Sequence, residues 1–370
     1  MDGSKGNILV LTNNIGGLHS FRKEVMKAIV DAGYKVQIST PDDDPRQEYF
    51  TLIGCEVIQT VFNRRGKDPV ADFKLLLDYR KLIKRLHPVA VLTYTIKPNI
   101  YGGMACRLTH TPQLANVTGL GDAIENGGWM QKLTVALYRL GISKARQVFF
   151  QNRSNKDTCI RLGIAKEDAV LLPGSGVNLS HHVLQPYHKN DGKLKFLFIG
   201  RMLRDKGIEE YFETAKIIKA KHPDTEFQIL GPVEGDYQQQ LNELVQDGII
   251  NHLGTTTDVR PFIGAVHCTI MPSYHEGMSN VNLESAANGR PVITTDVPGC
   301  RETVDDGVTG FLVVPRSSQS LIEGVERFLS LSYDEKKQMG IDGRKKVERE
   351  FDRQIVIRAY LNAINSIANV

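Results

Sequence analysis

The chain has 370 residues, of which 41% are hydrophobic and 24% charged. This composition is ordinary for a soluble globular protein, and the length predicts two domains. No apolar run approaches the ~20 residues that span a bilayer, and residues 1–7 are too polar for a secretory signal, so we expect a cytoplasmic protein. The five cysteines lie far apart with no CxxC pair, which excludes a zinc site and a disulfide framework and indicates buried free thiols.

The formal net charge of +4 is unevenly distributed along the chain. Residues 1–180 carry 24 Lys and Arg against 16 Asp and Glu, a balance of +8, and residues 181–370 carry 22 against 26, a balance of −4. A basic half of this kind favours a partner that carries phosphates. Nucleic acid, an anionic membrane surface and a phosphorylated substrate all fit that description.

In chain order, the first half alternates strand and helix patterns. A helix is predicted over residues 20–32, between the first two strands, and a loop that contains Gly16 and Gly17 precedes it. Such a βαβ start implies parallel strands joined by right-handed crossovers. Apolar runs predict strands at 7–12, 35–40, 89–94, 113–117, 147–151 and 169–173.

Residues 174–192 are rich in Gly, His, Asn and Pro without a sustained period, which is typical of a linker. The alternation then restarts, with helices predicted at 208–221 and 237–247. Strands are predicted at 194–200, 226–231, 249–253, 268–271, 291–295 and 311–314. The sequence therefore predicts an α/β protein with two doubly wound domains, 1–180 and 181–370. Ligands of such sheets bind at the carboxyl ends of the strands.

The strongest motif runs from residue 272 to residue 293, where a strand leads through a glycine-containing loop into a helix. Free backbone N–H groups at such a helix start can bind an anion. Glu276 in the loop and Glu284 in the helix can accept hydrogen bonds from sugar or ribose hydroxyls. The alternative is that Glu276 only caps the helix and Glu284 is a solvated charge.

A second motif, GRMLRDKG, follows the first strand of the second half. Arg201 and Lys206 place two cations at one strand end, which suits a diphosphate leaving group; solvated basic residues in a turn are the alternative. Paired Gly16 and Gly17 allow close backbone approach to a ligand, or form an ordinary turn. Neither a P-loop nor a GxGxxG nicotinamide fingerprint is present.

Taken together, these motifs resemble glycosyltransferase family 4, the retaining enzymes of GT-B fold, in which two Rossmann-like domains face a cleft. The resemblance covers nearly the whole chain and is most specific in E-G-x-S-N-x-x-x-E, followed by GRPVI and VPGCRETV. It implies that Arg201 and Lys206 hold the donor diphosphate, Glu276 faces the transferred sugar and Glu284 takes the ribose hydroxyls. The other donor-binding positions that it implies are Gly16, Gly17, Gly231, Gly254, Gly277, Met278, Ser279 and Asn280.

The segments TIKPNIYG and NVTGLG in the first half resemble the branch that extends polyprenyl-diphosphate-linked glycans and builds capsules. The resemblance therefore implies a lipid-linked glycan acceptor and a UDP-sugar donor. Many relatives have a histidine that faces the sugar in the loop at residues 116–121, and this chain has none. Asn116, Thr118 and Gly119 are the candidates on that loop.

Two basic helices are candidate membrane-facing surfaces. Residues 72–87 and 129–146 combine apolar residues at helical spacing with cations, a pattern typical of helices that lie in a membrane interface; core-packed helices with solvated charges are the alternative. The candidates are Arg80, Lys81, Lys84, Arg85, Lys132 and Arg139. We expect a peripheral protein on the inner face of the cell membrane, with the last helix, about 352–370, packing back on the first domain.

The sequence thus favours a metal-independent transferase with no cofactor besides the nucleotide-sugar substrate. Two alternatives stay open: a nucleotide-sugar epimerase or phosphorylase of the same fold, and a non-catalytic nucleic-acid-binding protein. The basic clusters lack interleaved aromatic residues, which disfavours a nucleic-acid partner. Slow release of nucleoside diphosphate from a nucleotide sugar would distinguish the transferase.

Overall fold

The structure is a computed structural model, and it describes residues 4–41, 43–64, 66, 68–119, 128–189 and 192–368. The chain forms two compact units, one of residues 1–175 with 354–370 and one of residues 176–353. The chain therefore passes from the first unit to the second after residue 175, five residues before the predicted boundary at 180. It returns to the first unit after residue 353. The two connecting segments lie side by side, because the backbone N–H of Val177 donates to the carbonyl of Phe351.

The first unit is a seven-stranded parallel sheet in the order β3-β2-β1-β4-β5-β6-β7. Its strands are β1 (Asn7–Leu11), β2 (Lys35–Thr40), β3 (Glu56–Gln59), β4 (Ala90–Tyr94), β5 (Gln113–Val117), β6 (Gln147–Phe150) and β7 (Val170–Leu171). Its helices are α1 (Ile15–Asp31), α2 (Gln47–Leu52), α3 (Pro69–Leu86), α4 (Gly103–Thr109), which follows a π turn (Pro98–Gly102), α5 (Gly128–Ile142) and α6 (Arg153–Arg161), with α13 (Arg353–Ala368) at the end of the chain.

The second unit is a six-stranded parallel sheet in the order β10-β9-β8-β11-β12-β13. Its strands are β8 (Leu194–Ile199), β9 (Thr225–Leu230), β10 (Ile250–His252), β11 (Cys268–Met271), β12 (Val292–Thr295) and β13 (Gly310–Val313). Its helices are α7 (Ile208–Lys221), α8 (Gln238–Gln246), α9 (Arg260–Gly264), α10 (Asn280–Ala287), α11 (Ser318–Ser330) and α12 (Tyr333–Glu350). The prediction of two doubly wound parallel sheets is confirmed.

Helices cover both faces of the first sheet, so its central strands are apolar on both sides. One face packs against α1 and α2 together with α13, whose Val356, Tyr360 and Ile364 are buried there. The opposite face packs against α3, α4 and α5. All five cysteines are buried and free, as the sequence indicated.

Candidate active site

The site is built where the strand order of the second sheet reverses. β8 and β11 are neighbours there, although 68 residues of chain separate Ile199 from Cys268. The crossovers from these two strands leave on opposite faces of such a sheet, and this opens a crevice at the carboxyl ends. The topology therefore brings together the two loops that carry the sequence motifs, residues 200–207 and 272–279.

The Lys206 ammonium and the Glu276 carboxylate meet in this crevice. Lys206 Nζ donates to Glu276 Oε1 over 2.6 Å, and the two side chains are only 21% and 18% exposed. An ion pair that is largely removed from water interacts more strongly than a surface pair. The structure thus joins two residues that the sequence selected from separate motifs.

Backbone contacts hold the two loops against each other. The N–H of Tyr274 donates to the carbonyl of Asp205 over 2.8 Å. Gly207, at a φ of +73°, ends the turn after Lys206, and a Cβ there would lie 2.1 Å from the carbonyl oxygen of Pro272. Only glycine allows this close approach, so the position of Lys206 depends on it.

A third loop supports Glu276 from its backbone side. The N–H of Ser279 donates to the carbonyl of Gly299 over 2.7 Å. Gly299 has a φ of +85°, and a Cβ there would lie 2.3 Å from the carbonyl oxygen of Glu276. The VPGCRETV segment, which carries part of the family resemblance, therefore also has a structural role, and its glycine is the sequence signal for it.

Helix α10 begins directly after this loop. The Ser279 hydroxyl caps it by accepting from the N–H of Asn282, and the Ser279 and Met278 side chains are buried. Backbone N–H groups of Gly277 and Asn280 therefore belong to a loop and first turn of the kind that bind anions.

Glu284 lies one turn further along α10 and is half-buried. Burial raises the pKa of its carboxyl to about 7, against the opposing influence of the Arg353 guanidinium. The described residues supply no hydrogen bond to this carboxylate. A partly buried carboxylate without a partner is suited to accept hydrogen bonds from the hydroxyl groups of a ligand.

Arg201 forms no bond to the Lys206–Glu276 pair. Its exposed guanidinium donates to Glu234 over 3.1 Å. Gly231 and Gly254 lie beyond the ends of β9 and β10, where the N–H of Gly231 donates to the carbonyl of Gly254 over 2.8 Å. Across the described part of the chain, no three His, Cys, Asp or Glu side chains are grouped as a metal site would require.

Gly16 and Gly17 do not lie in a loop, as the sequence suggested, but in the first turn of α1. The Asn14 side chain caps this helix by accepting from the N–H of Gly17. Neither glycine has a positive φ. A Cβ on Gly16 would lie 2.1 Å from an Arg46 guanidinium nitrogen, the flexible end of an exposed side chain that can move aside.

Asn116 is buried inside the first unit. Its amide donates to the carbonyls of Thr93 and Leu114, and its carbonyl oxygen accepts from the Tyr360 hydroxyl. These bonds give Asn116 a structural role in the core, and its candidacy for the place of the sugar-facing histidine stays a prediction. Thr118 and Gly119 are partly exposed at the end of β5, and their role stays a prediction; residues 120 and 121 of that loop lie outside the described residues.

Two family models match most of the chain. One, described as "Glycosyl transferases group 1", matches residues 183–346, and the other, described as "Glycosyl transferase 4-like", matches residues 8–152. The chain is a glycosyltransferase whose two halves match these two models. The first model contains the whole Lys206–Glu276 site.

Two curated bacterial relatives match this glycosyltransferase over most of their length. The N,N'-diacetylbacillosaminyl-diphospho-undecaprenol alpha-1,3-N-acetylgalactosaminyltransferase of Campylobacter jejuni is 25% identical over 95% of this chain and 96% of that protein. The capsular polysaccharide biosynthesis glycosyltransferase CapM of Staphylococcus aureus is 27% identical over 81% of this chain and 83% of that protein. The predicted resemblance to this branch is confirmed.

Solved structures show that the glycosyltransferase has the GT-B fold. HepE of Anabaena, solved with UDP and glucose, superposes with a TM-score of 0.79 at 17% identity, over 98% of this chain and 100% of that one. Sucrose-phosphate synthase of Thermosynechococcus elongatus gives a TM-score of 0.77 at 19% identity, over 98% and 99%. The predicted fold class is confirmed.

The basic residues that are candidates for a membrane-facing surface differ in their exposure to solvent. Lys81, Lys84 and Arg85 on α3 and Lys132 on α5 are exposed, whereas Arg80 is half-buried. Arg139 is exposed, and its guanidinium donates to the carbonyl of Leu162 over 2.7 Å. Within the described ranges, no helix has the length and hydropathy that crossing a bilayer would need.

Proposed function

We propose that this glycosyltransferase moves a hexose or N-acetylhexosamine from a UDP-sugar onto a polyprenyl-diphosphate-linked glycan, with retention of anomeric configuration and without a metal ion or other cofactor. The observation that carries the proposal is the Lys206–Glu276 pair at the sheet's switch point, 2.6 Å apart. The Campylobacter jejuni relative, named for an undecaprenol-linked acceptor, and HepE, solved with UDP, supply the substrate classes.

In this mechanism Lys206, Arg201 and the start of α10 stabilise the charge of the departing diphosphate. The bond between the anomeric carbon and the diphosphate oxygen breaks, and an oxocarbenium-like centre forms beside Glu276. The acceptor hydroxyl then attacks from the leaving-group face and gives its proton to the diphosphate oxygen. The products are the extended glycan and protonated UDP, and fixed cations act best on such developing charge.

Within the same proposal, the Glu284 carboxylate accepts the ribose hydroxyls of the donor. Its partial burial and its lack of a hydrogen-bond partner among the described residues both support this role. Gly231 and Gly254 lie at the neighbouring strand ends, where we place the nucleobase.

A lipid-linked acceptor requires contact with a membrane, and we propose that α3 attaches the protein peripherally to the cytoplasmic face. Its outer surface exposes Phe73 and Leu77, which are 61% and 36% exposed. Lys81 and Lys84 continue this exposed surface toward the end of the helix. Apolar side chains beside cations are typical of helices that bind anionic membranes.

Incubation with a panel of UDP-sugars and a polyprenyl-diphosphate disaccharide tests the proposal. We expect one lipid-linked product with the anomeric configuration of the donor, formed equally well in the presence of EDTA. Loss of activity with EDTA and its recovery with manganese would disprove the metal-free mechanism. Release of a free epimer without acceptor would instead identify an epimerase.

A further inference from the structure

The first unit contains a pocket that the proposed transfer reaction does not use. It lies at the amino-terminal edge of the sheet, opposite the strand ends that carry Thr118, and has a volume of about 340 Å³. Its lining includes Gly103, Arg107, His110, Gly141, Lys144 and Arg146.

Close packing of two helices forms this pocket. A Cβ on Gly103 of α4 would lie 2.0 Å from the carbonyl oxygen of Gly141 in α5, so only glycine permits this approach. The start of α4 therefore packs against the end of α5, beside the start of β5. The last turn of α4, the segments that follow both helices and the start of β5 supply the pocket's polar side chains.

The pocket is strongly basic. Arg107, Lys144 and Arg146 line it together with His110, and no Asp or Glu does. These four side chains are exposed and form no hydrogen bond or ion pair with any described residue. Arg107 lies in the last turn of α4, where a cation stabilises the helix dipole. Lys144 and Arg146 follow the end of α5 by two and four residues.

Exposed leucines flank the cations. Leu108, next to Arg107, is 55% exposed, and Leu140, at the end of α5, is 50% exposed. A soluble anion would gain nothing from apolar neighbours. The headgroup of an anionic lipid would place its phosphate among the cations and its acyl region against the leucines.

We propose that this pocket binds the phosphate of an anionic membrane lipid. The site is separate from the donor site in the second unit, and it orients the first unit on a bilayer. It rests on the membrane association proposed above and gives that association a specific point of contact. The ligand chemistry is a phosphomonoester or phosphodiester, and the leucines identify a lipid as its source.

The test compares the double variant Arg107→Gln/Lys144→Gln with wild type in vesicle cosedimentation. The vesicles contain phosphatidylcholine alone, or phosphatidylcholine and phosphatidylglycerol in equal amounts. We expect binding only to the anionic vesicles, and roughly 30-fold weaker partitioning of the variant, since each cation near such a surface contributes about fivefold. Hydrolysis of the soluble donor and thermal stability should match wild type.

The matched control is Lys216→Gln/Lys337→Gln, which removes two exposed cations from the second unit. It should sediment like wild type if the pocket is specific, and an equal loss would reduce the effect to net charge and overturn the proposal. If the pocket variant binds anionic vesicles like wild type and Lys81→Gln/Lys84→Gln does not, the pocket proposal is also overturned. The proposal that α3 contacts the membrane would then stand alone. Wild type that ignores anionic vesicles would overturn both membrane proposals.

A soluble headgroup analogue separates the two sources of phosphate. Glycerol 3-phosphate should protect wild type against thermal unfolding only weakly, and vesicle binding should exceed it by far. Strong protection by glycerol 3-phosphate, with no loss of vesicle binding in the pocket variant, would identify a soluble phosphate ligand and overturn the lipid assignment.

Discussion

The two units use their polar residues in different ways. In the second unit, side chains from separate loops meet at the strand ends, and Lys206 and Glu276 form a largely buried pair supported by Gly207 and Gly299. In the first unit, the strand-end amide of Asn116 is bonded inside the core, and free cations lie on helix surfaces and at the opposite edge. The second unit therefore holds charged side chains in a fixed arrangement suited to catalysis, whereas the unpaired cations of the first unit face solvent.

The largest expected effect comes from Lys206→Ala. Removal of a fixed cation that acts on the leaving diphosphate should lower kcat by ~10²–10³, with a smaller change in KM. Steady-state transfer with saturating acceptor measures this. Glu276→Gln should fold normally and lose transfer as well, because the sugar-facing carboxylate is gone.

Arg204→Ala is the matched control for Lys206→Ala. Arg204 lies two residues earlier in the same turn, is 77% exposed and faces Glu209 at 3.5 Å. Its loss should leave kcat near that of wild type. If both variants lose activity equally, general positive charge rather than the Lys206–Glu276 geometry supports the reaction, and the contrast between the units weakens.

The second prediction concerns Glu284, whose pKa is raised by burial to about 7. Ribose hydroxyls that donate to this group favour its charged form, so UDP affinity should increase as the pH rises through about 7. Glu284→Gln should lower UDP affinity by ~1.5–3 kcal/mol on the alkaline side. Calorimetry across this pH range measures both effects. The pH dependence that remains in the Glu284→Gln variant comes from the ionisation of UDP itself.

The same group gives a stability effect of known sign. Because its folded pKa lies above its usual 4.5, the folded state binds the proton more tightly, and stability falls as the pH rises between the two values. Glu284→Gln should therefore raise the Tm on the alkaline side and change it little on the acidic side. A pH-independent change in Tm, with unchanged UDP affinity, would remove Glu284 from the donor site.

The third prediction tests the structural role of Asn116. Tyr360→Phe removes the hydroxyl that donates to the buried Asn116 carbonyl, which should cost ~1–3 kcal/mol of unfolding free energy. Asn116→Ala should cost a similar amount, and the double variant less than the sum, because the two side chains share one bond. UDP affinity should be unchanged. If Asn116→Ala loses transfer activity without losing stability, Asn116 contacts the substrate instead.

Much of the fold follows from the sequence, because central parallel strands are continuous apolar runs. β8 was predicted at 194–200 and lies at Leu194–Ile199. The apolar pattern does not predict β3 (Glu56–Gln59), because this short edge strand is only partly buried. Gly16 and Gly17 suggest a loop and so predict that α1 begins at residue 20, whereas the Asn14 cap begins it at Ile15.

The site was predictable only in part, because its contacts span long stretches of chain. Lys206 and Glu276 are 70 residues apart, and the strand order that joins them is not visible in local spacing. Their selection as candidates depended on family motifs. The bonding of Asn116 is not predictable either, because its partner, Tyr360, lies 244 residues away on a helix whose packing no local pattern reveals.

The smallest expected effect concerns Gly17, in the first turn of α1. A Cβ there would lie 3.3 Å from the amide nitrogen of Asn14, the residue that caps α1, so this side chain must shift by a few tenths of an ångström. The shift offsets the gain of up to ~1 kcal/mol that alanine brings as the better helix former, and the Tm of Gly17→Ala should stay close to that of wild type. If the donor diphosphate approaches this backbone, as the family resemblance implies, the same variant should lower kcat/KM several-fold without a matching loss of stability. Gly16→Ala should displace only the flexible end of the exposed Arg46 side chain, at little cost in stability. A Gly17→Ala enzyme with unchanged kcat/KM would show that the glycine pair only begins a helix.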